Sequence, residues 1–224
     1  MSGAESDLSE LKIQLVGGND LVQMIEPAGR GGRATPGLAA LITDQTAQSV
    51  HIDHLPVEHL SDMQAAIADA GVPEQGVVIA SLGAAFAEAT ARHDINDVEE
   101  WYLATAGDLV AEIRKGGAHV LVANASTYDP EHVTTFDCDA AEAPALVLHR
   151  LNLALIQLSV LDGISIIDAD RIIAELAGET VVDGLLSYRE PAVNALCAEI
   201  VRVLAEYRFF DSGHLVPQSG RRKD

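Results

Sequence analysis

Five short apolar runs, each bounded by Gly, Pro, Asp or Asn, alternate with longer stretches that repeat apolar residues at helical spacing. This alternation limits the chain to few architectures. The runs at 12–16, 49–52, 76–82, 119–123 and 165–168 read as strands. The stretches at 35–48, 57–70, 96–115, 145–161, 169–176 and 190–207 read as helices. Thr35-Pro36 is a helix start, and Gly71 and Gly116-Gly117 are helix stops. Strands that alternate with helices form a parallel sheet, because each return crossing needs a helix that covers one face. The expected fold is therefore α/β, a three-layer αβα sandwich on a parallel, flavodoxin-like sheet of about five strands. No internal repeat or linker divides the chain, so residues 11–210 are expected to form one domain. Residues 1–10 read as a frayed start and 211–224 as a polar tail.

Composition narrows the function classes. Hydrophobic residues make up 48% of the 224 residues and aromatics only 4%, so the core is one of Ala, Val, Leu and Ile. A formal charge of −20 argues against nucleic acid and against anionic membranes, both of which repel an acidic surface. Cys138 and Cys197 lack metal-type spacing and read as free thiols of a reducing compartment. With a polar, acidic start and no 18-residue apolar run, the expected location is the cytoplasm. No cofactor is called for. Self-association is open to a parallel-sheet domain of this size.

Ligands of such sheets bind beyond the carboxyl ends of the strands. That rule selects three turns, at 17–20, 81–86 and 124–129. The first reads Gly17-Gly18-Asn19-Asp20 after an apolar strand. It resembles the opening block of the SGNH (GDSL-type) hydrolases, Gly-Asp-Ser, with Gly18 in the place of the aspartate and Asn19 in that of the nucleophilic serine. Further pieces follow in the family's order. Gly83-Ala84-Ala85-Phe86 resembles the Gly-x-Asn-Asp block, with Ala85 in place of the oxyanion asparagine. The strand at 117–124 and its loop, Arg150-Leu151-Asn152 and the strand at 163–170 resemble later blocks. Asp183 matches the triad aspartate, and the histidine falls at Leu186 or Ser187. The resemblance implies the fold over roughly 11–208. It also implies a site without nucleophile, base or oxyanion amide, since Asn19, Ala85 and Leu186 or Ser187 supply none of these.

Two readings of function follow. One is a protein that has left serine-esterase chemistry and binds, scaffolds or regulates, with a protein partner or a small anion in the old site. The other is an enzyme with remodelled chemistry, a hydrolase or transferase, that uses Asp20 or Asp183 as base and His54 or His59 as acid. Beside these two stands a hydrolase whose serine comes from elsewhere, Ser81 or Ser126 at strand ends, although neither sits on a recognisable nucleophile turn. The candidate anion contacts are Gly18, Asn19, Gly83 and the arginines of the Ala28–Thr35 loop, Arg30 and Arg33, which lie just before a helix start. The competing reading of that loop is a surface loop whose arginines pair with nearby acids. His51, Asp53, His54, Glu58 and His59 are the densest set of potential metal ligands, but strand alternation puts His51 and Asp53 on one face and His54 on the other, so no metal is expected. His132 with Cys138 reads as part of a solvated acidic loop. Trp101, Tyr102, His119 and His149 read as packing residues.

Overall fold

The computed structural model of the protein describes residues 10–25, 37–46, 49–94, 96–126, 144–176, 181–184 and 186–210. The strands β1 (Leu11–Gly17), β2 (Val50–Pro56), β3 (Val77–Ser81), β4 (His119–Ala123) and β5 (Ser165–Ile167) form one sheet in the order β2-β1-β3-β4-β5. All four pairings are parallel. The expected α/β sandwich is thus the observed one. In this order the chain starts inside the sheet and winds outward in both directions. The direction switches between β1 and β3, where open α/β sheets hold their ligands.

Burial explains the strand sequences. β3 is covered on both faces and reads as an unbroken buried run, Val77 to Ser81. β2 is an edge strand, only half-buried, and it tolerates His51, Asp53, His54 and a terminal Pro56. It therefore runs four residues beyond the expected end. One face of the sheet buries Val16, Val78, Val120 and Val122 under α3 (Leu60–Ala70), α4 (Gly83–Arg92), α5 (Val98–Lys115) and α6 (Pro144–Asp162). The other buries Ile13, Leu15, Val77, Ile79 and Leu121 under α1 (Asn19–Ile25), α2 (Leu38–Thr46), α7 (Ala169–Glu175) and α8 (Glu190–Glu206).

Two helices fall where the sequence reads as turns. Only Gly18 separates β1 from α1, and only Leu82 separates β3 from α4. The glycines that signal loops here open helices instead. A short antiparallel hairpin, β6 (Val182–Gly184) with β7 (Ser187–Tyr188), precedes α8 and had no strand signal. Thr35, Pro36, the two expected termini 1–9 and 211–224, and the loops that carry Arg30, Arg33, Asp129, His132 and Cys138 lie outside the described residues.

Candidate functional site

At the β1/β3 switch point the two strand-to-helix turns press together. Gly17 ends β1 because nothing larger fits: a Cβ there would stand 2.8 Å from Ser81 Oγ and 3.1 Å from Leu21 Cδ1. Ser81 ends β3, and its Oγ accepts the Gly83 N–H at 3.3 Å. The Ser81 hydroxyl in turn hydrogen-bonds the Asp20 carboxylate. Asp20 sits in the first turn of α1, where its own amide and that of Leu21 also approach it. It is only 6% exposed and Ser81 only 4%. Burial pushes the Asp20 carboxyl above its ordinary range, against the pull of the Ser81 bond, the two amides and His54.

Around this pair the polar groups are largely committed to the protein itself. His54 Nε2 donates to the Gly17 carbonyl at 3.2 Å, and the Val57 N–H donates to the same oxygen. The Ser126 backbone hydrogen-bonds the buried Tyr188 hydroxyl, which burial and then the Asp20 charge push far up. Tyr188 N–H donates to Gln23 Oε1 at 3.3 Å, which ties the hairpin to α1. Beyond β4, Asn152 of α6 holds Ala125 by both backbone groups: Oδ1 accepts the amide at 3.1 Å and Nδ2 donates to the carbonyl at 2.7 Å. Asn124 bridges Asp168, at 2.9 Å, to the Asp170 amide, at 3.0 Å.

The candidate metal cluster is divided, as strand alternation requires. His51 pairs with Asp53 at 3.1 Å on one face of the edge strand, while His54 turns to Gly17 on the other. His59 precedes α3 beside Glu88 and leaves its Nδ1 buried without a partner. Glu88 accepts the Ser61 N–H at 2.8 Å and so caps α3 from α4. Among the described residues no three His, Cys, Asp or Glu side chains are grouped to hold a metal. Cys197 is buried under α1, and burial pushes its thiol up to about 12, which leaves it unreactive.

No family model and no curated protein matches the sequence. Solved structures do match its fold. A member of the lipolytic protein G-D-S-L family from Veillonella parvula DSM 2008 superposes with a TM-score of 0.59 at 14% identity, over 87% of this chain and 98% of its own. The fold is that of the SGNH hydrolases. LAE5, an alpha/beta hydrolase enzyme from the metagenome of Lake Arreo, gives a TM-score of 0.64 at 11% identity, over 88% of this chain and 97% of its own. The acetyl xylan esterase AlAXEase gives 0.59 at 13%, over 87% and 100%.

Among the described residues the sequence-derived positions fall on several elements of this fold. Asn19 opens α1 at the end of β1, next to Gly18, where a Cβ would meet only Asp20 Oδ1 at 3.6 Å. Ala85 does not face that turn. It is buried in α4 within the apolar layer that α4 shares with α6. The correction has a physical reason: α4 begins at Gly83 itself, so the third residue of the block is already wound into the helix and turned to the core. Gly83 has its open side taken by Asp20, whose Oδ1 would lie 3.1 Å from an added Cβ. Asp183 lies in β6. Leu186, in a histidine position, has φ +60 and packs against the apolar layer of α3 to α6, while Ser187 is half-buried in β7. In the sequence Ser81 stands out only as a strand-end serine in the 81–86 turn, and Tyr188 does not stand out as a site residue. Their signal was position: Ser81 ends a strand at the switch point, and Tyr188 lies in the block that carries Asp183.

Proposed function

We propose that this SGNH-fold protein has left serine-esterase chemistry and works as a cytoplasmic binding or scaffolding protein. The observation that carries the reading is the burial of Asp20 and Ser81 against each other at the switch point. An ester carbonyl needs a reachable nucleophile, a base and free donors. The residues at this turn are instead a buried carboxyl bonded to a buried hydroxyl and an amide already bonded to that hydroxyl, and Leu186 or Ser187 stands where the family carries histidine. The lipolytic and esterase names of the solved neighbours belong to those proteins. A ligand, on this reading, is small and anionic and is met by Gly18, Asn19 and the arginines Arg30 and Arg33.

A fluorophosphonate probe tests the proposal. The expected result is no stoichiometric covalent labelling and no turnover of p-nitrophenyl acetate above that of denatured protein. Full labelling of any serine overturns it. Inorganic phosphate should raise the thermal midpoint, and the Arg30→Ala/Arg33→Ala pair should abolish the rise.

One observation favours remodelled chemistry as a second reading. Asp20 is a carboxyl of raised pKa beside a serine hydroxyl, with His54 near, and catalytic acids are tuned in this way. That reading fails if Asp20→Asn and Asp183→Asn together leave every detected turnover unchanged.

A further inference from the structure

The outer face of α6 carries a seam with no cover among the described residues. Helices on the surface of an α/β domain are apolar on one side and polar on the other. α6 is apolar on its buried side and largely apolar on the other, where His149 and Gln157 are exposed polar side chains. Val147, Leu148, Leu151, Ala154, Leu155 and Leu158 are buried against the domain. On the opposite side Leu146, His149, Leu153, Ile156 and Val160 are exposed, at successive spacings of three, four, three and four residues. Val160 is 80% exposed, and Leu161 beside it 68%. A three-four repeat is the spacing by which one helix presents a continuous seam to another. By length and composition α6 could also cross a membrane, but its inner half is already the core of this domain.

We infer that this seam is the interface of a homodimer, with two copies of α6 packed antiparallel about a two-fold axis near Leu153. Three features favour a second copy over another occupant. The seam is self-complementary: the axis sets Leu153 against its equivalent and Leu146 against Val160 of the partner subunit, so large meets small at both ends. The four exposed apolar side chains of the seam, with Leu161 beside them, present on the order of 500 Å², at the upper end of what a monomer leaves bare. Pairing would bury roughly 1,000 Å², the threshold for a specific contact. Charge points the same way. In a chain of −20, α6 has no acidic residue before Asp162, and its one cation, Arg150, is paired to Glu99 at 3.0 Å. The seam is thus a place where two acidic copies can meet without facing carboxylates, and its one ionisable side chain is His149.

Sedimentation equilibrium of the full chain tests this. The wild type should show a mass of twice 23.7 kDa at micromolar concentration. Added salt should tighten the dimer, because it screens the repulsion between the acidic bodies. Leu153→Glu and, separately, Val160→Glu should each give monomers with unchanged circular dichroism; Val160 is 80% exposed, so its change also leaves the thermal midpoint where it was. A wild-type monomer up to high micromolar concentration overturns the proposal. So does a dimer that both variants leave intact, or a monomer that cosediments with phosphatidylserine vesicles through the seam. Oxidised Leu153→Cys should cross-link between copies more than the parent protein does, as a two-fold at that residue requires.

Discussion

The Asp20 carboxylate rests directly on Gly83, so that a methyl group on Gly83 would stand 3.1 Å from Oδ1 and 3.4 Å from Oδ2. This contact joins the turn after β1 to the turn after β3. An alanine at the start of α4 gains helix propensity of up to about 1 kcal/mol. Asp20 has no room to retreat, since it is buried and held by Ser81 and two amides. Gly83→Ala is therefore expected to cost a net ~1–2 kcal/mol in urea unfolding, and Asp20→Ala in the same chain should recover part of it. A Gly83→Ala protein as stable as the parent would show that the two turns are not in contact.

Gly17 and Ser81 make the second joint. A Cβ on Gly17 would lie 2.8 Å from Ser81 Oγ, closer than atoms of this kind approach. Gly17→Ala should cost about 1–3 kcal/mol as an overpacked site. Removal of the hydroxyl by Ser81→Ala should relieve the clash, so the double variant is more stable than the sum of the singles predicts, by ~1 kcal/mol or more. Strict additivity in the cycle would refute the contact.

The sheet was legible because burial on both faces forces unbroken apolar runs, as in β3, and the punctuation between them is dense. The helices α1 and α4 were not, because a glycine at a strand end signals a turn whether or not a helix starts one residue later. That error displaced Ala85 from the turn to the core, where α4 delivers it. The Asp20–Ser81 pair was invisible for a different reason: the two residues come from distant parts of the chain, and only the fold brings them together, with Tyr188 near the Asp20 charge. The seam on α6 escaped too. A helix with apolar residues on two faces keeps its helical spacing, but that spacing does not reveal which face is inside. For the same reason His149, expected to be a packing residue, is exposed on that seam.

Asn152 holds the segment after β4 in place. It is 9% exposed and satisfies both the amide and the carbonyl of Ala125. Asn152→Ala strands two buried backbone groups at about 1–3 kcal/mol each, less whatever water recovers. A total loss of ~2–4 kcal/mol in denaturant titration is expected. Asn152→Asp should be no better: its first oxygen can still accept the Ala125 amide, but its second would face the Ala125 carbonyl. If Asn152→Ala unfolds at the parent's denaturant concentration, the clamp is not a stabilising contact.

Asp20 and Glu88 should impose opposite pH dependences on the same fold. Burial raises Asp20 above its ordinary value of 3.8. The folded state then holds more protons than the unfolded chain from pH 3.8 up to the folded value, and stability falls as pH rises through that window. Asp20→Asn removes this fall, so its advantage over the parent should appear above pH 3.8 and vanish below it. Glu88 is lowered from 4.5: burial raises it, but the Ser61 bonds, Arg92 at 3.2 Å and His59 together outweigh burial. Its stabilisation is complete above pH 4.5 and lost as pH falls through the folded value. Glu88→Gln should therefore cost about 1 kcal/mol at neutral pH, the scale of a lost helix cap, and converge on the parent in acid. Urea midpoints of the parent and both variants, between neutral pH and about pH 3, read both slopes at once. Parallel curves for all three proteins would mean that neither carboxyl is held in the state its surroundings dictate.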